Sequence, residues 1–377
     1  MKKTLAAVAV LGAFAGSALA ADVQLYGIVD TGLRYMHFDG DAAAAGYDAV
    51  DKFEMKSGMQ SGSRFGFKGT EDLGNGLTVG FILENQFDSD TGELKDGLMF
   101  RRESSLFLQG DFGKIAMGRI GSINNGVGSW AQFGMLSAFG TSWDYSAQMG
   151  TWAVGAGIWD NMIAYQTPTF AGFTVYAQYG MGSNNNENES SSDRYYALGA
   201  KYANGPLNLY LAVDSINYKT ANATGALANI DDSLTVTFGG NYDFEVVKLF
   251  AGAQYYDEAK ISTAFGLLDS ADYNTQTYAG KFKGWSLGVS ANIPVAGGSV
   301  LVGAGYMDAE AADSQKTADK DELTRWVVSA GYDYPLSKRT NVYGILTYAQ
   351  DSLEYTAKVE DQDPTVFAAM VGIRHKF

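Results

Sequence analysis

The feature that most constrains this chain is a two-residue period. From Ala21 onward there are about sixteen segments of roughly eight to thirteen residues in which apolar and polar positions alternate, as in strands with two different faces. Leu77, Val79, Phe81, Leu83 and Phe87 fall on one face of such a segment, and Thr78, Gly80, Glu84 and Gln86 on the other. The C-terminal segment sets Phe367, Ala369, Val371, Ile373, His375 and Phe377 against Ala368, Met370, Gly372, Arg374 and Lys376. None of the five prolines interrupts a segment: Pro168, Pro206, Pro294 and Pro335 fall in short turns, and Pro364 precedes the last strand.

A sheet with one apolar and one polar face can be a secreted sandwich or β-helix, or a wall between lipid and water. The connections favour the wall. Short turns such as Gly110–Gly113 and Asn204–Pro206 alternate with long polar connections, including Asp39–Lys56, Asn184–Ser192, Asp308–Glu322 and Asp351–Asp363. Even strand number, short turns at one end and long loops at the other describe an up-and-down barrel in an outer membrane. Lipid would leave the edges of an open sheet unsatisfied, so the sheet has to close, pairing the strand from Asp22 with the one ending at Phe377. Ala21, as a new N-terminus, would then approach the Phe377 carboxylate.

The first twenty residues have the form of an export signal: Lys2 and Lys3, an apolar core from Thr4 to Phe14, and Ala18-Leu19-Ala20 before the expected cleavage. Residues 1–20 are thus expected as signal peptide and 21–377 as barrel. Removing Lys2 and Lys3 leaves 42 acidic against 25 basic side chains, net −17, which gives no basic face for nucleic acid. Cysteine is absent, so no disulfide or thiolate metal site is available.

The longest connection, Ile120 to Ile158, is unlike the others. It carries Trp130, Phe133, Phe139, Trp143, Tyr145 and Trp152, with Trp159 following, and Asp144 as its one acid. Long ordered loops of this kind are usually functional.

An enzyme reading has little to rest on. The two histidines are His37 and His375, neither beside a nucleophile motif, and the Gly-x-Gly pairs lack a following helix. No catalytic residue, cofactor or metal is expected.

Particular stretches resemble a known family. They are Val23-Gln24-Leu25-Tyr26-Gly27, Ser63-Arg64-Phe65-Gly66-Phe67-Lys68-Gly69, Arg102-Glu103-Ser104, Gly118-Arg119, Gly331-Tyr332-Asp333-Tyr334-Pro335 and Val371-Gly372-Ile373-Arg374-His375-Lys376-Phe377. In this order they resemble the general-diffusion porins of Gram-negative bacteria, most closely the branch of Neisseria, Bordetella and related β-proteobacteria. The resemblance implies an all-β, 16-stranded antiparallel transmembrane barrel in the outer membrane, assembled as a homotrimer, with the third extracellular loop, which strand counting places at Ile120–Ile158, folded inward as the constriction loop.

Passive diffusion of ions and small hydrophilic solutes is the implied function. Arg64 and Arg102 would match the family's basic wall positions; the strand period sets Lys68 on the face of Arg64, Arg119 stands at the loop root with either face open to it, and Asp144 is the acid of the facing loop. Arg101 and Arg102 should point to opposite faces. Phe377 would be the signal read by the barrel assembly machinery, and lipids, lipopolysaccharide and solutes the other partners. The family's further base near the sixth strand has no counterpart in Ile158–Tyr165. A weak anion preference is therefore expected. The alternative is a solute-preferring channel for saccharides or aromatic acids, with Trp130, Trp143, Tyr145, Trp152 and Trp159 as a stacking surface.

Overall fold

The computed structural model describes residues 23–42, 47–141, 143, 150–154, 157–182, 192–218, 231–261, 281–312, 322–354, 361 and 363–377. The proposed signal, Ala21, Asp144, Tyr145 and most of the Asn184–Ser192 tract lie outside the described residues.

Sixteen antiparallel strands form one closed barrel. Strand β1 is Gln24–Ala42, and β2 runs in two pieces, Tyr47–Ser57 and Arg64–Gly74. They are followed by β3 (Leu77–Glu84), β4 (Glu103–Gly110), β5 (Gly113–Gly121), β6 (Ile158–Gln166), β7 (Phe173–Gly180) and β8 (Arg194–Asn204). The second half comprises β9 (Leu207–Asn217), β10 (Leu234–Asp243), β11 (Lys248–Ile261), β12 (Phe282–Val295), β13 (Gly298–Ala311), β14 (Glu322–Pro335), β15 (Thr340–Glu354) and β16 (Thr365–Lys376).

Each strand pairs with its sequence neighbours, and β1 closes on β16 from Ile28–Lys376 to Asp39–Thr365. Gly27 and Phe377 then exchange backbone hydrogen bonds of 3.1 Å each. Every edge is thereby paired, as a wall inside lipid requires.

The alternation read from sequence appears as alternating burial. Every second residue of Phe173–Gly180 is buried, and the same holds along most of Thr340–Glu354. Leu106, Leu198, Phe238, Val289, Leu346 and Val371 are exposed on the outside, where lipid covers them. Aromatic pairs ring both ends of this band: Phe173–Tyr202 and Tyr332–Tyr334 at the short-turn end, Tyr179–Tyr196 and Trp326–Tyr348 at the other. Trp326 and Tyr334 share β14, and their spacing at about 3.3 Å per residue on a strand tilted about 40° gives roughly 20 Å, close to the thickness of an outer-membrane apolar band.

One expectation about the connections is corrected. Asp39–Lys56 is largely strand, because its charges find cross-strand partners: Glu54 pairs with Arg34, and Asp51 accepts from Tyr35 at 2.7 Å and lies 2.9 Å from His37 Nδ1. Acidic residues at a strand's outer end read as loop in sequence, whereas here paired charges extend β1 and β2 beyond the girdle.

The aromatic connection between β5 and β6 lies against the inner wall. Ala138 N–H donates to Ser290 Oγ at 2.9 Å, Asn241 Nδ2 to the Met135 carbonyl at 2.8 Å, and Ala153 N–H to Gln254 Oε1 at 2.8 Å. Its returning limb, Ala153–Val154, pairs as a short strand with Lys260–Ile261 of β11. Trp130, Phe133, Leu136, Phe139, Trp143 and Trp152 are all buried, with Trp152 seated over Gly252, where a Cβ would lie 2.5 Å from its ring. Apolar anchoring of this kind keeps a loop in place inside water.

Candidate functional site

Arg64, at the start of the second piece of β2, Arg102, just before β4, and Arg374, on β16, converge on one cavity of about 400 Å³. Its opposite side is formed by the inward connection, from Gly126 to Trp143, and Asn292, Ser299 and Asp333 of the wall complete it.

One carboxylate serves two of the guanidiniums. Arg102 Nε donates to Glu84 Oε1 at 2.5 Å, while Arg64 Nε lies 3.5 Å from Glu84 Oε2, which also accepts from Tyr26 OH at 3.0 Å. Arg374 is held by neutral groups, donating to Asn341 Oδ1 at 3.0 Å and to Ser61 Oγ at 2.8 Å. The second acid, Asp333, accepts from Gln60 at 2.8 Å and Asn341 at 2.6 Å. Three cations thus face two acids, in a narrow place where little water screens them.

Lys68 shares the face of Arg64 but lies outside this cavity, its ammonium 5.1 Å from the centre of the Tyr26 ring. Arg119 is also outside it. Its partner in the ladder is Ser104, on the face of outward-pointing Leu106, and its guanidinium pairs with Asp160 and donates to the Arg101 carbonyl at 2.8 Å. The structure therefore does not bring Arg119 to this cavity. The Arg101 expectation is corrected too: β4 begins at Glu103, so strand alternation does not govern the two arginines, and both reach Gln86 Oε1, at 3.1 and 3.2 Å. Asp144 and Tyr145 lie outside the described residues.

Of the aromatics, Trp143 and Phe139 line the cavity, but each is nearly closed off and Trp143 is turned edge-on to Tyr343 with centroids 5.2 Å apart. Trp130 and Trp152 are buried, and Trp159 stacks on Tyr195 at 5.5 Å. The buried rings thus offer no open face to a solute and pack the connection against the wall.

Sequence reasoning missed Arg374, Glu84 and the Gly58–Ser63 turn. The alternation of the last strand already set Arg374 opposite the apolar face, so the first was within reach. The turn was not, because what holds it comes from β1.

The loop root is anchored by Glu103, which is buried and accepts from Ser129 N–H at 2.7 Å, Ser129 Oγ at 2.9 Å and Ser105 Oγ at 2.8 Å.

Comparison with known proteins gives a consistent result. The family model described as "Gram-negative porin" matches residues 6–352. An outer membrane porin protein of Bordetella pertussis is 36% identical, with all of both chains aligned, and outer membrane porin protein 32 of Delftia acidovorans is 32% identical, again over all of both chains. The solved anion-selective porin from Comamonas acidovorans superposes with a TM-score of 0.65 at 27% identity, covering 95% of this chain and all of that one. The Vibrio cholerae outer membrane protein OmpT, solved in a trimer form, shares the fold at 16% identity and a TM-score of 0.59, over 95% of this chain and all of that one.

Proposed function

The chain belongs to the Gram-negative porins, in the branch of the Bordetella and Neisseria outer-membrane proteins, and from that premise we propose that its constriction gives passive diffusion a weak preference for anions. As an outer-membrane porin it forms a water-filled route for ions and small hydrophilic solutes.

The observation that carries the proposal is the charge balance of the cavity. Arg64, Arg102 and Arg374 outnumber Glu84 and Asp333, and Glu84 is spent mainly on Arg102. The surplus is small, so the preference is weak. Mobile ions screen such a field over about 10 Å at 0.1 M salt, so the preference fades as salt rises. Stepwise currents in planar bilayers, with reversal potentials on the anion side at low salt, test both parts.

The assembly proposed is a homotrimer, in keeping with the trimer form solved for a protein of the same fold. Residues 1–20 are its export signal. Phe377, at the barrel seam, is the feature the assembly machinery reads, and membrane lipids with lipopolysaccharide surround the apolar band. Chemical crosslinking of the detergent-solubilised chain, with a three-protomer product expected, tests the oligomer.

A further inference from the structure

The break in β2 builds a second inward projection. Gly58 enters it with φ +71°, and the turn closes so tightly that a Cβ on Gly58 would lie 2.9 Å from the Gly62 Cα. Its base is tied to one residue of β1. Gly58 N–H donates to the Asp30 carbonyl at 2.8 Å, and Ser63 Oγ donates to the same carbonyl at 3.0 Å while accepting from Asp30 N–H at 3.1 Å. The Asp30 carboxylate, fully buried, accepts from Gln60 N–H at 2.9 Å, Ser61 N–H at 2.6 Å and Tyr343 OH at 2.5 Å. Beneath the turn, Met59 is sunk into one apolar cluster with Phe139 and Trp143, so the two inward segments brace each other.

The far side of the turn holds two guanidiniums of the cavity and borders the third. Arg64 Nη1 donates to the Gly62 carbonyl at 3.1 Å, and Arg374 Nη1 donates to Ser61 Oγ. Arg102 Nη1 would lie 3.4 Å from a Cβ at Gly62, and Gln86 Nε2, whose amide also binds Arg102, only 3.1 Å from it. Asp30 itself lines none of the cavity.

We propose that the Gly58–Ser63 turn is a second constriction element, and that Asp30 is the positioning residue which sets ion preference by fixing this turn against Arg64, Arg102 and Arg374. A guanidinium free to swing by an ångström or two changes both the width of the passage and the field inside it. Position, and not the charge of Asp30, is the operative quantity. The inference rests on the conducting role proposed above.

The test compares reversal potentials in a salt gradient for the full chain, Asp30→Ala and Asp30→Asn. Asp30→Ala releases the turn and is expected to change the anion-to-cation permeability ratio by about twofold or more. Asp30→Asn keeps an oxygen for the Gln60 and Ser61 amides and is expected to restore the ratio. Equal shifts in both variants would assign the effect to charge and overturn the proposal, as would an Asp30→Ala channel identical to the parent. Should Asp30→Ala fail to insert, Gly62→Ala decides: it keeps Asp30 but crowds Gln86 and Arg102, and an unchanged ratio overturns the proposal. A conducting parent of cation preference would defeat the anion reading while leaving these comparisons decisive. A parent without conductance would overturn both.

Discussion

Arg325 and Asp351 lie flat against one another on neighbouring strands, Nε 2.6 Å from one carboxylate oxygen and Nη2 2.7 Å from the other, with both side chains closed to water. The remaining arm, Nη1, donates to the carbonyl of Gly150 at 2.9 Å, so this pair grips the inward loop from the wall. A buried pair is costly to break on one side, because the survivor keeps its charge without its partner, at about 3–5 kcal/mol. Asp351→Leu is therefore expected to destabilise the barrel by that order. The double variant Arg325→Met/Asp351→Leu should lose much less. Denaturant unfolding in detergent, followed by the shift in electrophoretic mobility, compares them.

Glu103 ties the root of the same loop through two hydrogen bonds from Ser129, while Ser105 on its own strand donates a third and holds the carboxylate in place. Hydrogen bonds to a charged group contribute about 1.5–3 kcal/mol each, and losing them at the root loosens the loop without opening the wall. Glu103→Ala is expected to keep the folded mobility yet raise open-channel current noise. A quiet channel in that variant would place the anchoring elsewhere.

At the seam, a Cβ on Gly27 would sit 2.3 Å from the Phe377 ring and 2.6 Å from the Arg64 carbonyl oxygen. The ring can swing aside, but the backbone oxygen cannot. Gly27→Ala is expected to lower the yield of folded barrel, and adding Phe377→Ala is expected not to rescue it. Full rescue would show that the ring alone crowds the seam.

Outside the membrane band, Arg101 donates to Asp96 in the connection between β3 and β4, holding that carboxyl below the usual range. A depressed carboxylate adds stability above its unfolded pKa of about 3.9, and that stability is lost as pH falls through the lower folded value. The group is half exposed, so the effect is local and small. Pepsin cleavage within residues 85–102 is expected to rise as pH falls below about 3.9 in the parent. Asp96→Asn should cleave readily throughout, with no acid step.

What could be read from the sequence follows from how local its cause is. Alternation is written into each segment, so the strands, the barrel and the third long connection were legible. Extension of β1 and β2 through the acidic stretch was not, since it depends on pairs such as Arg34 with Glu54, which sequence spacing does not reveal. The resemblance supplied Arg64 and Arg102, both of which line the cavity, while Arg119 is drawn away by Asp160. The Gly58–Ser63 turn was invisible because its latch, Asp30, lies on another strand and looks like any polar lumen residue. Aromatic density in the loop was visible, but its meaning depended on which ring faces the wall surrounds.

The most direct test of the account is the reversal potential across a salt gradient, measured for the parent chain and for Arg64→Gln/Arg374→Gln. These two guanidiniums line the cavity, and unlike Arg102 neither donates a close hydrogen bond to Glu84. The account predicts a parent on the anion side at low salt, fading as salt rises, and a double variant moved toward cations. A parent that prefers cations at low salt, or a double variant with an unchanged reversal potential, would contradict it.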